Sequence, residues 1–135
     1  MSADLGDGSA EQGWFVSLDD IEYLVPMPGQ RCRPLLGEQM LANVVYFEPH
    51  AVAPVHSHVE EQIVVVLDGE FEYEVSGKVK VMRKGDVALI PPWVPHGARV
   101  GDLACVELEI FTPPRETVLQ HAIQERQRLR GDARD

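Results

Sequence analysis

His56-Ser57-His58 is a histidine pair split by one residue. In an extended strand, residues two apart project to the same face, about 6.5–7 Å apart along the chain. Two imidazoles so placed converge on one cation. Gln62 has the same parity as both, so a regular strand turns it inward with them. Glu60 shares that parity but sits beside the pair, and Glu61 points away. His96 arrives from a later strand. It ends the run Gly85–His96, a turn, a strand and then a corner stiffened by Pro91, Pro92 and Pro95. Such a corner restricts the side chain, and a metal site favours preorganised ligands. The expected centre is one divalent transition metal held by His56, His58, Gln62 and His96. Three imidazoles suit zinc, nickel, iron, copper or cobalt better than magnesium or calcium, and manganese also stays in the set. Gln62 adds a neutral amide oxygen, so the ion would keep its full charge and act as a Lewis acid on a carbonyl or hydroxyl. His50 reads as a surface turn residue and His121 as a solvated side chain.

The elements that must position these residues are mostly strands. The chain has 135 residues, and 12 basic against 22 acidic side chains leave a net charge of −10. That length is one domain with a core of its own. Short runs rich in Val, Ile, Phe and Tyr recur at Met40–Phe47, Gln62–Leu67, Phe71–Val75, Val79–Met82, Val87–Ile90 and Ala104–Phe111. Phe71–Val75 alternates strictly, and Ser76-Gly77 turns the chain into a second alternating run, which predicts a hairpin. With no crossover helices between the runs, the fold class is all-β, an antiparallel jelly-roll sandwich or barrel. The exception is Glu116–Arg130, where Val118, Leu119, Ala122, Ile123 and Leu129 fall near one face of a helix. Residues 1–13 read as a loose acidic leader, 14–115 as the domain and 116–135 as a helical tail.

Composition removes several functions. No run approaches the roughly 18 apolar residues that a membrane span needs. The acidic balance argues against nucleic acid and anionic membranes as partners. Cys32 and Cys105 lack metal or redox spacing and read as partly buried thiols, with a disulfide between them as the alternative, and no signal peptide is evident, so a cytoplasmic protein is expected.

The histidines and their surroundings resemble the two motifs of the small single-domain cupins. The first, G-x5-H-x-H-x3-E-x6-G, corresponds to His50, His56, His58, Gln62 and Gly69. The second, G-x5-P-x4-H-x3-N, corresponds to Gly85, Pro91, His96 and Val100, again with every spacing kept. The resemblance implies the double-stranded β-helix of the cupins, one metal ion and a homodimer joined through sheet edges. The chain departs from the motifs at His50, at Val100 and, for the chemistry, at Gln62 in place of Glu.

The ending Glu107–Glu116 resembles the D-x-F-S-P-x-R ending of one cupin branch that also has Gln in the metal motif. That branch includes enzymes that open the ring of 4,5-unsaturated monouronates in pectin and alginate breakdown. The resemblance implies that Glu109, Phe111 and Arg115 line the pocket. Glu109 would move a proton, Arg115 would clamp a carboxylate, and Phe111 would form a wall. Positions 107, 109 and 111 share one strand face, which agrees. Polyketide-cyclase cupins are similar in their metal pattern and would use a wider apolar pocket, for which Trp93, Met40, Tyr46 and Tyr73 are candidates. Cupin dioxygenases form a third enzyme reading. A ligand-sensing or storage cupin would bind without needing the acid. Residues 34–77 hold eight acids and no Lys or Arg, so an anionic substrate would depend on the cation and Arg115 locally.

Overall fold

The computed structural model describes residues 12–134. Residues 1–11, most of the expected leader, lie outside the described residues. After a single 3-10 turn at Leu18–Asp20 come β1 (Leu24–Met27), β2 (Gln30–Leu36), β3 (Leu41–Phe47), β4 (Val52–His56) and β5 (Glu61–Asp68). They are followed by β6 (Glu70–Val75), β7 (Lys78–Arg83), β8 (Val87–Ile90), β9 (His96–Val100) and β10 (Cys105–Thr112). One helix, α1 (Glu116–Arg134), closes the chain. The strands form two antiparallel sheets, ordered β1-β2-β3-β10-β5-β8 and β4-β9-β6-β7. This is the expected jelly-roll sandwich with a C-terminal helix.

Side-chain alternation places the core between the sheets. On β3, Leu41, Asn43, Val45 and Phe47 turn inward, and on β6, Phe71 and Tyr73 do so. Burial of such aliphatic and aromatic groups stabilises by roughly 1.5–3 kcal/mol each. Ser76 and Gly77 both take positive φ, 54° and 80°, so β6 and β7 are joined by a tight primed turn that follows the strand twist. The outer face of β6 carries exposed Glu70 and Glu72 and half-buried Glu74, which completes its alternation.

Four strands are not evident from apolar runs. In β2 the buried positions are Gln30, Cys32 and Pro34, while Arg31 and Arg33 face outward, so its pattern is not a hydrophobic one. Strands β1, β4 and β9 are only 4, 5 and 5 residues long. Strand β9 includes Gly97, where an added Cβ would meet the Ala53 carbonyl oxygen at 2.8 Å. Only glycine lets β4 and β9 approach this closely beside His96.

Helix α1 packs chiefly on β2, with Val118 and Ala122 joining the sandwich core. Its buried Glu125 accepts the backbone N–H of Glu22 at 2.8 Å and is bridged by Arg128. His121 reaches the Glu22 carbonyl at 2.8 Å, so it is a tether for the N-terminal segment rather than a solvated side chain. No helix among the described residues is long and apolar enough to cross a membrane.

Candidate metal centre and cavity

The three histidines meet between the sheets, but not from one strand. Strand β4 ends at His56, residues 57–60 turn the corner, and β5 begins at Glu61 in the other sheet. The expectation of a single strand carrying His56, His58 and Gln62 is therefore corrected. His56 closes one sheet, His58 sits in the corner, and Gln62 opens the opposite sheet. His96 begins β9 directly opposite His56 in register. Ring centroids lie 4.5 Å apart for His56–His96, 4.8 Å for His58–His96 and 5.4 Å for His56–His58. One ligand nitrogen from each ring lies within 4.8 Å of the others.

The backbone fixes the tautomer of every ring. His56 Nδ1 lies 2.8 Å from the Pro54 carbonyl, His58 Nδ1 3.0 Å from the Glu60 carbonyl, and His96 Nδ1 2.8 Å from the Val94 carbonyl. A carbonyl oxygen only accepts, so each Nδ1 carries a hydrogen, and in the neutral ring the lone pair is on Nε2. That is the arrangement of metal-binding histidines whose outer nitrogen is oriented by a second partner. Burial lowers the pKa of His58, and it takes that of His96 down to about 4, so both rings stay neutral.

Two features show that these residues fit a cation. His96 Nε2 is buried and has no hydrogen-bond partner. His58 Nε2 faces Gln62 Oε1 at 3.2 Å, while the Gln62 amide N–H donates to Glu109 Oε2 at 3.3 Å. Lone pair thus faces lone pair, an arrangement that a cation between them satisfies. Gln62 is 3% exposed and oriented with its oxygen toward the cluster, in the position expected of a fourth ligand.

A cavity of about 380 Å³ opens beside the cluster, within the range typical of small-molecule sites. Its lining brings together His56, His58, Gln62, His96, Glu109, Phe111 and Arg115, each expected near the site. Phe111 also packs its edge against the His58 ring, with centroids 5.8 Å apart. Trp93, Met40 and Tyr46 do not line it, which corrects the expected apolar wall. Trp93 is 63% exposed and Met40 is 55% exposed. Tyr46 has the opposite parity to the inward residues of β3 and packs on Tyr23 on the outer face, with centroids 5.7 Å apart. Trp93 contributes through its backbone instead, donating its N–H to the His58 carbonyl at 2.8 Å and so bracing that corner. Tyr73 does line the cavity. His50 adopts φ 66° in a turn and pairs with exposed Asp102 at 3.2 Å, away from the cluster. Both cysteines are free thiols and more deeply buried than the partial burial expected.

Three functional positions are not evident from motif reading. Asn43 is 3% exposed, lines the cavity and reaches Glu109 Oε1 with its amide at 3.5 Å. Its signal is a single polar residue at an inward position of an otherwise apolar strand. Glu60 is 4% exposed and joins three groups. It meets His58 Nδ1 at 3.3 Å, accepts from Arg115 Nη1 at 3.4 Å, and accepts from the Glu116 N–H at 3.1 Å. The corner, the guanidinium and the start of α1 are thus tied to one carboxylate. Glu107 is the third, 2% exposed in the cavity wall. Burial, and then the neighbouring Glu109, raise its carboxyl well above the usual range.

The sequence matches the profile of the cupin domain over residues 43–111. The structure is similar to that of an RmlC-like cupin from Shewanella frigidimarina, at 29% identity and a TM-score of 0.72, covering 78% of this chain and 95% of that one. KdgF from Halomonas sp. is similar at 26% identity and a TM-score of 0.73, over 78% of this chain and 97% of that one. The polyketide cyclase RemF from Streptomyces resistomycificus, at 22% identity and a TM-score of 0.67 over 75% and 80% of the two chains, shares the fold.

Proposed function

The chain belongs to the cupin family, and from that premise we propose that it is a metal-dependent enzyme that opens the ring of an unsaturated monouronate. The observation that carries the reading is the position of Glu109. Its carboxyl lies 3.3 Å from the Gln62 amide, so an acid/base group stands directly beside the metal cradle, in the cavity wall. A protein that only stores or senses a ligand has no need of that group. Arg115 lines the same cavity and supplies the cation that a uronate carboxylate requires.

A divalent ion held by His56, His58, Gln62 and His96 would supply Lewis acidity to the substrate oxygens. The residues then divide the work. Arg115 gives one N–H to Glu60 and keeps further guanidinium donors for the substrate carboxylate. Phe111 walls the site beside His58. Glu109 takes the proton of the anomeric hydroxyl as the ring C–O bond breaks, leaving an aldehyde and an enolate. It then returns that same proton to the alkene carbon, and the enolate becomes a ketone. Atoms and protons balance, so the reaction is an isomerisation. That Trp93, Met40 and Tyr46 stand outside the cavity favours a small oxygenated substrate over a broad polyketide.

The test is product analysis by NMR after the metal-loaded protein meets a 4,5-unsaturated galacturonate or its alginate-derived counterpart. A linear keto-aldehyde product is expected. An unchanged cyclic substrate with both compounds overturns the reading.

A further inference from the structure

Asn43 is a buried polar residue to which the scheme above gives no task. It lies on the inward face of β3, where Leu41, Val45 and Phe47 are apolar, and it lines the cavity. Its neighbours in register are Pro34 on β2 and Glu109 on β10. Its amide Nδ2 donates to Glu109 Oε1 at 3.5 Å, while Oδ1 is buried without a hydrogen-bond partner.

An unpaired buried acceptor is unfavourable, and leucine has the same branched shape with no polar atom to strand. The core therefore gains nothing from an amide at this position. The direction of the amide shows what it serves. The Pro34 ring offers no donor, and a Glu109 carboxylate only accepts. Turning the amide over would set Oδ1 against that carboxylate. The N–H faces Glu109, and the carbonyl oxygen is left unpaired as the consequence.

Glu109 is thereby held at both oxygens. Strand β10 runs between β3 and β5, and each of these neighbours sends one amide to the acid. Asn43 Nδ2 reaches Oε1 from β3, and Gln62 Nε2 reaches Oε2 from β5 at 3.3 Å. One such bond would leave the carboxyl free to turn about its own axis. Two bonds from opposite sides fix its plane, and each oxygen keeps a second lone pair for the cavity.

We propose that Asn43 is a positioning residue that clamps the Glu109 carboxyl from β3, opposite the Gln62 amide on β5. The geometric half of this statement stands by itself, and the catalytic half rests on the ring-opening reading. On that reading, the clamp fixes the plane in which Glu109 takes and returns the substrate proton.

Asn43→Leu keeps the shape of the side chain and removes the donor. Crystal structures of the metal-loaded proteins are expected to show one Glu109 carboxyl pose in the wild type and a turned or divided one in the variant. An unchanged Glu109 in Asn43→Leu overturns the clamp. In turnover, Asn43→Leu is expected to lose about 10- to 100-fold in kcat, with KM and metal affinity within about twofold of wild type. A general loosening of the fold would lower metal affinity together with kcat. Such a joint loss, or an unchanged kcat, overturns the positioning role. Should Asn43→Leu fail to fold, the smaller Asn43→Ala takes its place with the same two readings. Failure of both to fold makes Asn43 a structural residue and overturns the proposal. A wild type without turnover counts against the ring-opening reading, and the crystal structures alone then decide on Asn43.

Discussion

His58 Nε2 stands 3.2 Å from Gln62 Oε1, and the hydrogen bonds on either side leave no proton between them. The Glu60 carbonyl takes the imidazole hydrogen and Glu109 takes an amide hydrogen of Gln62, so two electron pairs are left to share one cation. Replacing Gln62 with Leu is therefore expected to weaken divalent-metal affinity by about tenfold or more. Gln62→Glu, which adds a ligand charge, is expected to tighten binding while slowing turnover, because the ion loses part of its Lewis acidity. Calorimetric metal titration beside kcat reads both effects. Unchanged affinity in Gln62→Leu excludes Gln62 from the ligand set.

Glu109 accepts the Gln62 amide N–H and stands outside the proposed ligand set. Glu109→Gln is expected to abolish turnover and to leave metal content at the wild-type level, read by elemental analysis of the purified variant. Retained activity would show that the acid/base group lies elsewhere.

The Glu60 carboxylate ties His58, Arg115 and the first turn of α1 together. Glu60→Gln keeps the shape and removes the charge. It is expected to weaken metal affinity by about 10- to 100-fold and to raise KM for a carboxylate substrate, with far smaller effects on a neutral analogue. Equal KM changes for charged and neutral substrates would remove Glu60 and Arg115 from anion recognition.

Glu107 also predicts a pH effect on stability. Its folded carboxyl is raised well above the unfolded value of 4.5. The folded state thus holds a proton that the unfolded state has already lost. Stability falls as pH rises from the unfolded value toward the folded one, by up to about 1.4 kcal/mol per pH unit. Glu107→Gln lacks this dependence. Its Tm relative to wild type is expected to rise with pH across that window, and a constant difference between the two would contradict the raised value.

Much of this site is legible in the sequence because parity and spacing are local. Glu109 and Phe111 turn inward as period two on β10 requires. The motif spacing finds all three clustered histidines even though the strand expected to carry them is interrupted. Parity fails between His58 and Gln62 because the corner at 57–60 moves the chain from one sheet to the other, and no apolar pattern marks that change. Strand parity places Tyr46 on the outer face, since it alternates against Leu41, Asn43 and Val45. Met40 and Trp93 face solvent despite their apolar character, so residue type alone does not locate a pocket wall. Glu60 and Glu107 are harder, because an acid in a sequence reads as solvated until distant neighbours are known. The partners that decide them, Arg115, Glu116, Tyr73 and the second sheet, come from elsewhere in the chain.

The most direct test combines metal and turnover. Protein stripped with a chelator and refilled stepwise with zinc, nickel, iron or manganese is assayed for loss of the conjugated alkene absorbance of an unsaturated monouronate. The account predicts no activity without metal and a rise that saturates at one ion per chain for at least one of these metals, abolished in His96→Ala. Absence of turnover at every ratio, or equal turnover in the stripped protein, would contradict it.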